Sequence, residues 1–162
     1  MFVLGLDPGL TRTGFGVIRQ TRSGPHAERV GVLRTDPAHP MPQRLAELAD
    51  DLDALIADVQ PDVVALERVF VRRNITSAMG VARASGVAML CAARAGIALH
   101  EYTPSEVKLA VAGDGTADKS QVAKLVARRL SLAEAPSPAD AADALGVALC
   151  HLQQARFGVA AS

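Results

Sequence analysis

The stretch FVLGLDPG, Phe2 to Gly9, decides how the chain is read. Phe2, Val3 and Leu4 form a short apolar run that passes through Gly5 and Leu6 to one carboxylate, Asp7. Pro8-Gly9 then breaks it. A continuous apolar run is the pattern of a strand covered on both faces, and Pro-Gly marks a turn. A carboxylate at the inner end of such a strand loses hydration and needs a compensating charge. The partner expected here is a divalent metal, with three carboxylates from distant parts of the chain converging on it.

Outward from Asp7, Thr13 to Arg19 (TGFGVIR) predicts a second strand, hairpin-connected and antiparallel to the first. Gly14 and Gly16 leave its backbone bare on one face, where another group can approach. Arg29 to Thr35 predicts a third strand, and Asp36 to Pro42 a Pro-rich loop. Gln43 to Val59 carries Leu45, Leu48, Leu52, Leu55, Ile56 and Val59 at helical spacing, with Glu47, Asp50, Asp51 and Asp53 mostly on the wet side. Asp62 to Glu67 repeats the opening pattern: an apolar strand ending in a carboxylate.

Asn74 can cap a helix from Ile75 to Ala95 that is apolar nearly all round, which predicts burial on more than one side. Ile97 to Tyr102 predicts a fifth strand. Thr103-Pro104-Ser105-Glu106 opens a short helix with a capping box and Pro at its first position. Further helices start at Asp118-Lys119 and at Ser137-Pro138-Ala139-Asp140. This order predicts an α/β fold: a five-stranded mixed sheet flanked by helices on both faces.

A chain of 162 residues is expected to form one domain, residues 1–157, with a short tail, 158–162. Hydrophobic residues make up 49% and aromatics 3%, which suits an aliphatic core. Lys+Arg and Asp+Glu both number 17, so any surface for an anionic partner must be local. Cys91 and Cys150 lack metal-ligand spacing and read as buried thiols in a reducing compartment. There is no basic n-region, and no apolar run is read as reaching the ~20 residues of a membrane span. A cytoplasmic protein with no membrane partner is the expectation.

Asp7 and Glu67 each end a strand, and if the strands are neighbours the two carboxylates meet at one sheet edge. Asp140 and Asp143, three apart on a helix, share a face. Four such groups cannot all stay ionised without a cation. Hard oxygen donors suit Mg2+, with Mn2+ possible. Two ions about 3.5–4 Å apart would clamp the attacking and leaving oxygens of a phosphodiester. Each residue also has a plainer reading. Asp7 could cap a turn, Glu67 could pair with Arg68 or Arg73, and Asp140 could close an S-x-x-D capping box.

LGLDPGLTRTGFGV, ALERVFVRRN, DKSQV and PADAADALGVA, in this order and spacing, resemble the RuvC Holliday-junction endonucleases over nearly the whole chain. The resemblance implies a ribonuclease-H-like fold, a homodimer, and Mg2+-dependent resolution of four-way DNA junctions in recombination and repair. It implies that Asp7, Glu67, Asp140 and Asp143 are the metal-binding catalytic carboxylates, and that the cuts leave 5′-phosphate and 3′-hydroxyl ends. It places Phe70 at the junction centre and Lys108 and Lys119 near the scissile phosphate. It also implies contact with a branch-migration complex of the RuvA–RuvB type. Some relatives have a longer basic end, so any DNA contact made by that end is expected to be absent here.

The residues themselves add to this. Arg68, Arg72 and Arg73 flank Phe70, and a Phe among arginines can stack on an unpaired base; its plainer reading is a core side chain. His151 on the last helix is read as packed or surface rather than as part of the site. The helix from Ile75 to Ala95 is the expected dimer interface. Two other classes compete. LGLDPGLTRTGFGV also resembles the first phosphate loop of actin-like ATPases and sugar kinases, although 162 residues hold only one such unit and the paired aspartates stay unexplained. The other is a non-catalytic junction-binding protein.

Overall fold

The apolar run that ends at Asp7 becomes the middle strand of the sheet. The computed structural model describes residues 1–69, 75–156 and 158. Along the chain come β1 (Phe2–Asp7), β2 (Arg12–Thr21), β3 (Gly24–Arg34), α1 (Met41–Val59), β4 (Val63–Glu67), α2 (Ile75–Arg94), β5 (Ala98–Tyr102), α3 (Pro104–Ala112), α4 (Lys119–Arg129) and α5 (Ala139–Arg156). The sheet order is β3-β2-β1-β4-β5. The β1–β2 and β2–β3 pairs are antiparallel, while β1–β4 and β4–β5 are parallel. This is the mixed five-stranded sheet that the sequence predicts.

Both faces of the central strands are covered, which is why their sequences read as unbroken apolar runs. Val3, Val63 and Ala65 pack into one core with residues of α3, α4 and α5. Leu4, Leu6, Val64 and Leu66 pack into the other with α1 and α2. Successive strand residues alternate between faces. Asp7, four residues after Val3, and Glu67, four after Val63, therefore fall on the α5 face.

Helix α5 lies unusually close to that face, and glycines permit it. A Cβ on Gly5 would sit 2.1 Å from the Ala144 carbonyl oxygen, and one on Gly14 2.0 Å from that of Asp140. One on Gly16 would meet the Leu145 side chain at 2.7 Å. The bare backbone expected at Gly14 and Gly16 is thus the seat of the helix.

Several boundaries differ from the sequence reading, each for a local reason. Helix α1 starts at Met41 because Pro42 fits its first turn, where its missing N–H is not needed. Strand β3 begins at Gly24, five residues early; as an edge strand it tolerates Pro25. The capping box at Thr103 and Glu106 is present, as is one at Asp118 and Gln121. Asp140 does not close the capping box considered for it: its carboxylate accepts from Arg12 instead. Cys91 and Cys150 are free and buried, and burial pushes both thiols up to about 12.

Helix α2 corrects two expectations. It buries Ala84, Ser85, Ala88, Cys91 and Ala92 along one side only, leaving Ile75, Met79, Met89 and Leu90 exposed. At 20 residues, with a mean hydropathy of 1.4, it is also long and apolar enough to cross a membrane by length and composition. Its small side chains raise hydropathy without making a continuous apolar surface. Arg83 and Arg94 interrupt it, and its buried side seats it beside α1 in the second core. The Asn74 cap lies outside the described residues.

The seat of α5 is open to a direct test. Gly5→Ala is expected to destabilise the fold by about 1–3 kcal/mol, because the methyl must push the α5 backbone away. A lowered denaturant midpoint with an unchanged m-value would show it.

Candidate active site

Asp7 and Glu67 are brought together by strand register. Parallel pairing runs from Val3↔Val63 to Leu6↔Leu66, so the two carboxylates lie one step beyond the last pair. They meet at the carboxyl end of two central strands rather than along an edge strand. Thr13, almost wholly buried, shapes the turn after Asp7 by donating its hydroxyl to the Gly9 carbonyl at 2.8 Å.

Asp7 and Glu67 open into a cavity of about 830 Å3 with Arg68, Lys108 and Lys119 on its wall. Ser77, Ala78 and Val81 of α2 and Ser105 and Thr116 also line it. Asp143 faces an adjoining small cavity that shares Glu67, Lys108 and Lys119. Asp140 lines neither. Its Oδ2 instead accepts from Arg12 Nε at 2.8 Å.

The electrostatics report a shortage of positive charge. Burial pushes Asp7 up to about 8, with the charges of Glu67 and Asp143 adding to the rise and Lys119 opposing it. Glu67 is also raised, first by burial and then by Asp143, against Lys119 and Lys108. Among the described residues Glu67 makes no ion pair, so its plainer reading as a partner of Arg68 is not met; Arg73 lies outside them. Lys119 Nζ donates to Asp143 Oδ2 at 2.9 Å, which holds the ammonium above the ordinary lysine range. That contact also offsets the unfavourable place of a cation in the first turn of α4.

The donor chemistry fits a hard divalent cation: oxygen only, half-buried, and mutually repelling. Yet among the described residues no three acidic, histidine or cysteine side chains are already gathered tightly enough to hold an ion. Asp143 is drawn to Lys119, and Asp140 to Arg12. The four carboxylates share one end of the sheet without forming a closed cage.

The remaining sequence candidates fall as follows. Arg68 is exposed on the cavity wall, its backbone N–H donating to the Tyr102 carbonyl at 2.8 Å. Lys108 is half-buried. Phe70, Arg72 and Arg73 lie outside the described residues. His151 is a core residue, hydrogen-bonded through Nδ1 to the Tyr102 hydroxyl at 2.8 Å and pushed down to about 4 by burial and by His100. It follows Asp143 by eight residues on α5, roughly 12 Å along the axis, and takes no part in the site. Sequence reasoning missed Arg12; its signal was position, at the start of the strand that returns from Asp7.

Carboxylates at the ends of central strands, facing a helix that carries two more, define a ribonuclease-H-like nuclease. Comparisons with known proteins narrow the class. The family described as "Crossover junction endodeoxyribonuclease RuvC" matches residues 3–151, and this chain belongs to it. Its relatives include crossover junction endodeoxyribonuclease RuvC of Salinispora arenicola, 54% identical over 94% of this chain and 87% of the relative. That of Corynebacterium jeikeium is 50% identical over 94% of each. Among solved structures, Thermus thermophilus RuvC in complex with Holliday junction substrate is 36% identical, with a TM-score of 0.93 over 99% of this chain and 98% of that one. The yeast mitochondrial Holliday junction resolvase Ydc2, at 16% identity and a TM-score of 0.72, shares the fold. The ATP-binding and non-catalytic readings are set aside.

The raised Asp7 pKa gives a pH test. A carboxyl whose folded pKa lies above its unfolded one adds stability below the unfolded value and loses it as pH rises through the folded value. Metal-free protein is therefore expected to lose stability between about pH 4 and pH 8. Asp7→Asn should flatten that loss, and Mg2+ should raise the melting temperature of wild type more than that of the variant.

Proposed function

We propose that this chain resolves Holliday junctions by paired symmetric nicks, hydrolysing one phosphodiester on each of two strands of like polarity. The observation that carries the reading is the meeting of Asp7, Glu67 and Asp143 around adjoining cavities walled by Lys108 and Lys119, in a member of this family. Residues 1–157 act as one nuclease domain, in the cytoplasm.

The enzyme is metal-dependent, and the ion is Mg2+, with Mn2+ as a substitute; two ions are held once DNA is bound. Asp7, Glu67, Asp140 and Asp143 would hold them. A divalent cation held there would supply Lewis-acid chemistry, making a water more acidic and offsetting charge on a leaving oxygen. The chain's own groups do the rest. Lys108 and Lys119 attract the scissile phosphate and position it against the carboxylates. The wall formed by Ala78 and Val81 narrows water access from the α2 side. Arg68, Arg72 and Arg73 hold flanking phosphates, and Phe70 stacks on a base at the junction centre.

Two nicks need two sites, and a twofold homodimer provides them. Helix α2 supports this: it carries four of the seven large exposed apolar side chains among the described residues, Ile75, Met79, Met89 and Leu90. Exposed Ala82, Gly86 and Ala93 continue the stripe, and open space at Gly86 lets a second helix approach closely. The first turns of the same helix line the catalytic cavity, so the interface also sets the spacing of the two sites. A branch-migration complex of the RuvA–RuvB type is the proposed partner on the junction.

Asp7→Asn is expected to abolish metal-dependent nicking of a four-way junction while junction binding survives; undiminished cutting removes Asp7 from the mechanism. Phe70→Ala should impair junction cutting more than binding to plain duplex, and equal losses would point to misfolding instead. Leu90→Arg is expected to shift the sedimenting species from dimer to monomer and to uncouple the two nicks.

A further inference from the structure

The four carboxylates have two cations of the chain's own drawn to them: Lys119 on Asp143 and Arg12 on Asp140. Arg12 opens β2, and its pairing with Asp140 spans 128 residues. Both side chains are partly exposed, at 40% and 32%, and neither lines the cavity of Asp7 and Glu67. The backbone of Asp140 is seated against the sheet: a Cβ on Gly14, two residues beyond Arg12, would fall 2.0 Å from its carbonyl oxygen. The side chain beyond that seat is partly exposed and has room to turn. Its charge also weighs least among the acidic neighbours that raise Asp7, behind Glu67 and Asp143.

We propose that Arg12 couples DNA binding to metal loading: its guanidinium holds the Asp140 carboxylate outside the cavity until a DNA phosphate takes it, and the freed carboxylate then joins the other three. The proposal rests on the carboxylate-site reading above and goes beyond it. A guanidinium donates to carboxylate and phosphate oxygens with the same geometry, so Asp140 and the DNA backbone compete for one group. A partly exposed ion pair is weak enough to exchange. Linkage then requires reciprocity: DNA tightens metal binding, and metal tightens DNA binding. Arg12 is a positioning residue acting through Asp140.

The test reads binding rather than turnover. Mn2+ titrations followed by electron paramagnetic resonance would use wild type, Arg12→Gln and Arg12→Lys, with and without a four-way junction blocked by non-hydrolysable linkages. Without DNA, Arg12→Gln is expected to bind Mn2+ several-fold more tightly than wild type, and Arg12→Lys to behave like wild type. Adding the junction should tighten Mn2+ binding more in wild type than in Arg12→Gln. In metal-free buffer, Arg12→Gln should bind the junction more weakly, with a salt slope shallower by about 1. Arg12→Met, which keeps the apolar stem, carries the same expectations should Arg12→Gln melt early. DNA-free Mn2+ binding by Arg12→Gln and Arg12→Met that is equal to or weaker than that of wild type, or an unchanged salt slope, overturns the role of Arg12. Wild type that takes up no Mn2+ even with the junction overturns the carboxylate-site reading itself.

Discussion

The carboxylates can meet only because helix α5 rests its backbone on the sheet. Gly5, Gly14 and Gly16 leave no side chain between helix and strands, and a single methyl at Gly5 or Gly14 would overlap an α5 carbonyl. Interiors pack too densely to absorb such an overlap without movement. Helix position in turn fixes where Asp143 stands relative to Asp7 and Glu67. The same contact that builds one hydrophobic core therefore aims the site.

Gathering acidic groups at a half-buried spot raises the free energy of the metal-free protein. Asp7 shows it directly, with burial and its acidic neighbours carrying its pKa to about 8. The protein relieves part of this with its own cations. Lys119 pairs with Asp143 and Arg12 with Asp140, and among the described residues the acidic groups lie near one another without forming a closed cage. A nuclease site that is strained without metal and DNA is one in which both ligands gain affinity from relieving the strain.

Helix α2 joins the two scales of the molecule. Its buried side completes the core beneath α1, its first turns wall the cavity of Asp7 and Glu67, and its outer stripe is exposed. Read from composition, the helix was expected to be buried on more than one side. Ala and Gly are compatible with a core, with a lipid face and with a helix–helix contact alike, so only the fold could say which side was left open.

The sequence by itself determined the elements and singled out the carboxylates that the fold brings to one end of the sheet. Asp7 and Glu67 were legible because charge at the end of an apolar run is costly without a partner, and the glycines of β2 because they interrupt a strand that would otherwise favour branched residues. The capping boxes at Thr103 and Asp118 were local and equally readable. Tertiary structure alone decided that β1 and β4 are parallel neighbours in matching register, that Asp140 pairs with Arg12, and that α2 keeps one apolar side uncovered. Those facts depend on contacts between residues tens of positions or more apart, and hydrophobic periodicity, being a property of one segment at a time, carries no information about which segments meet.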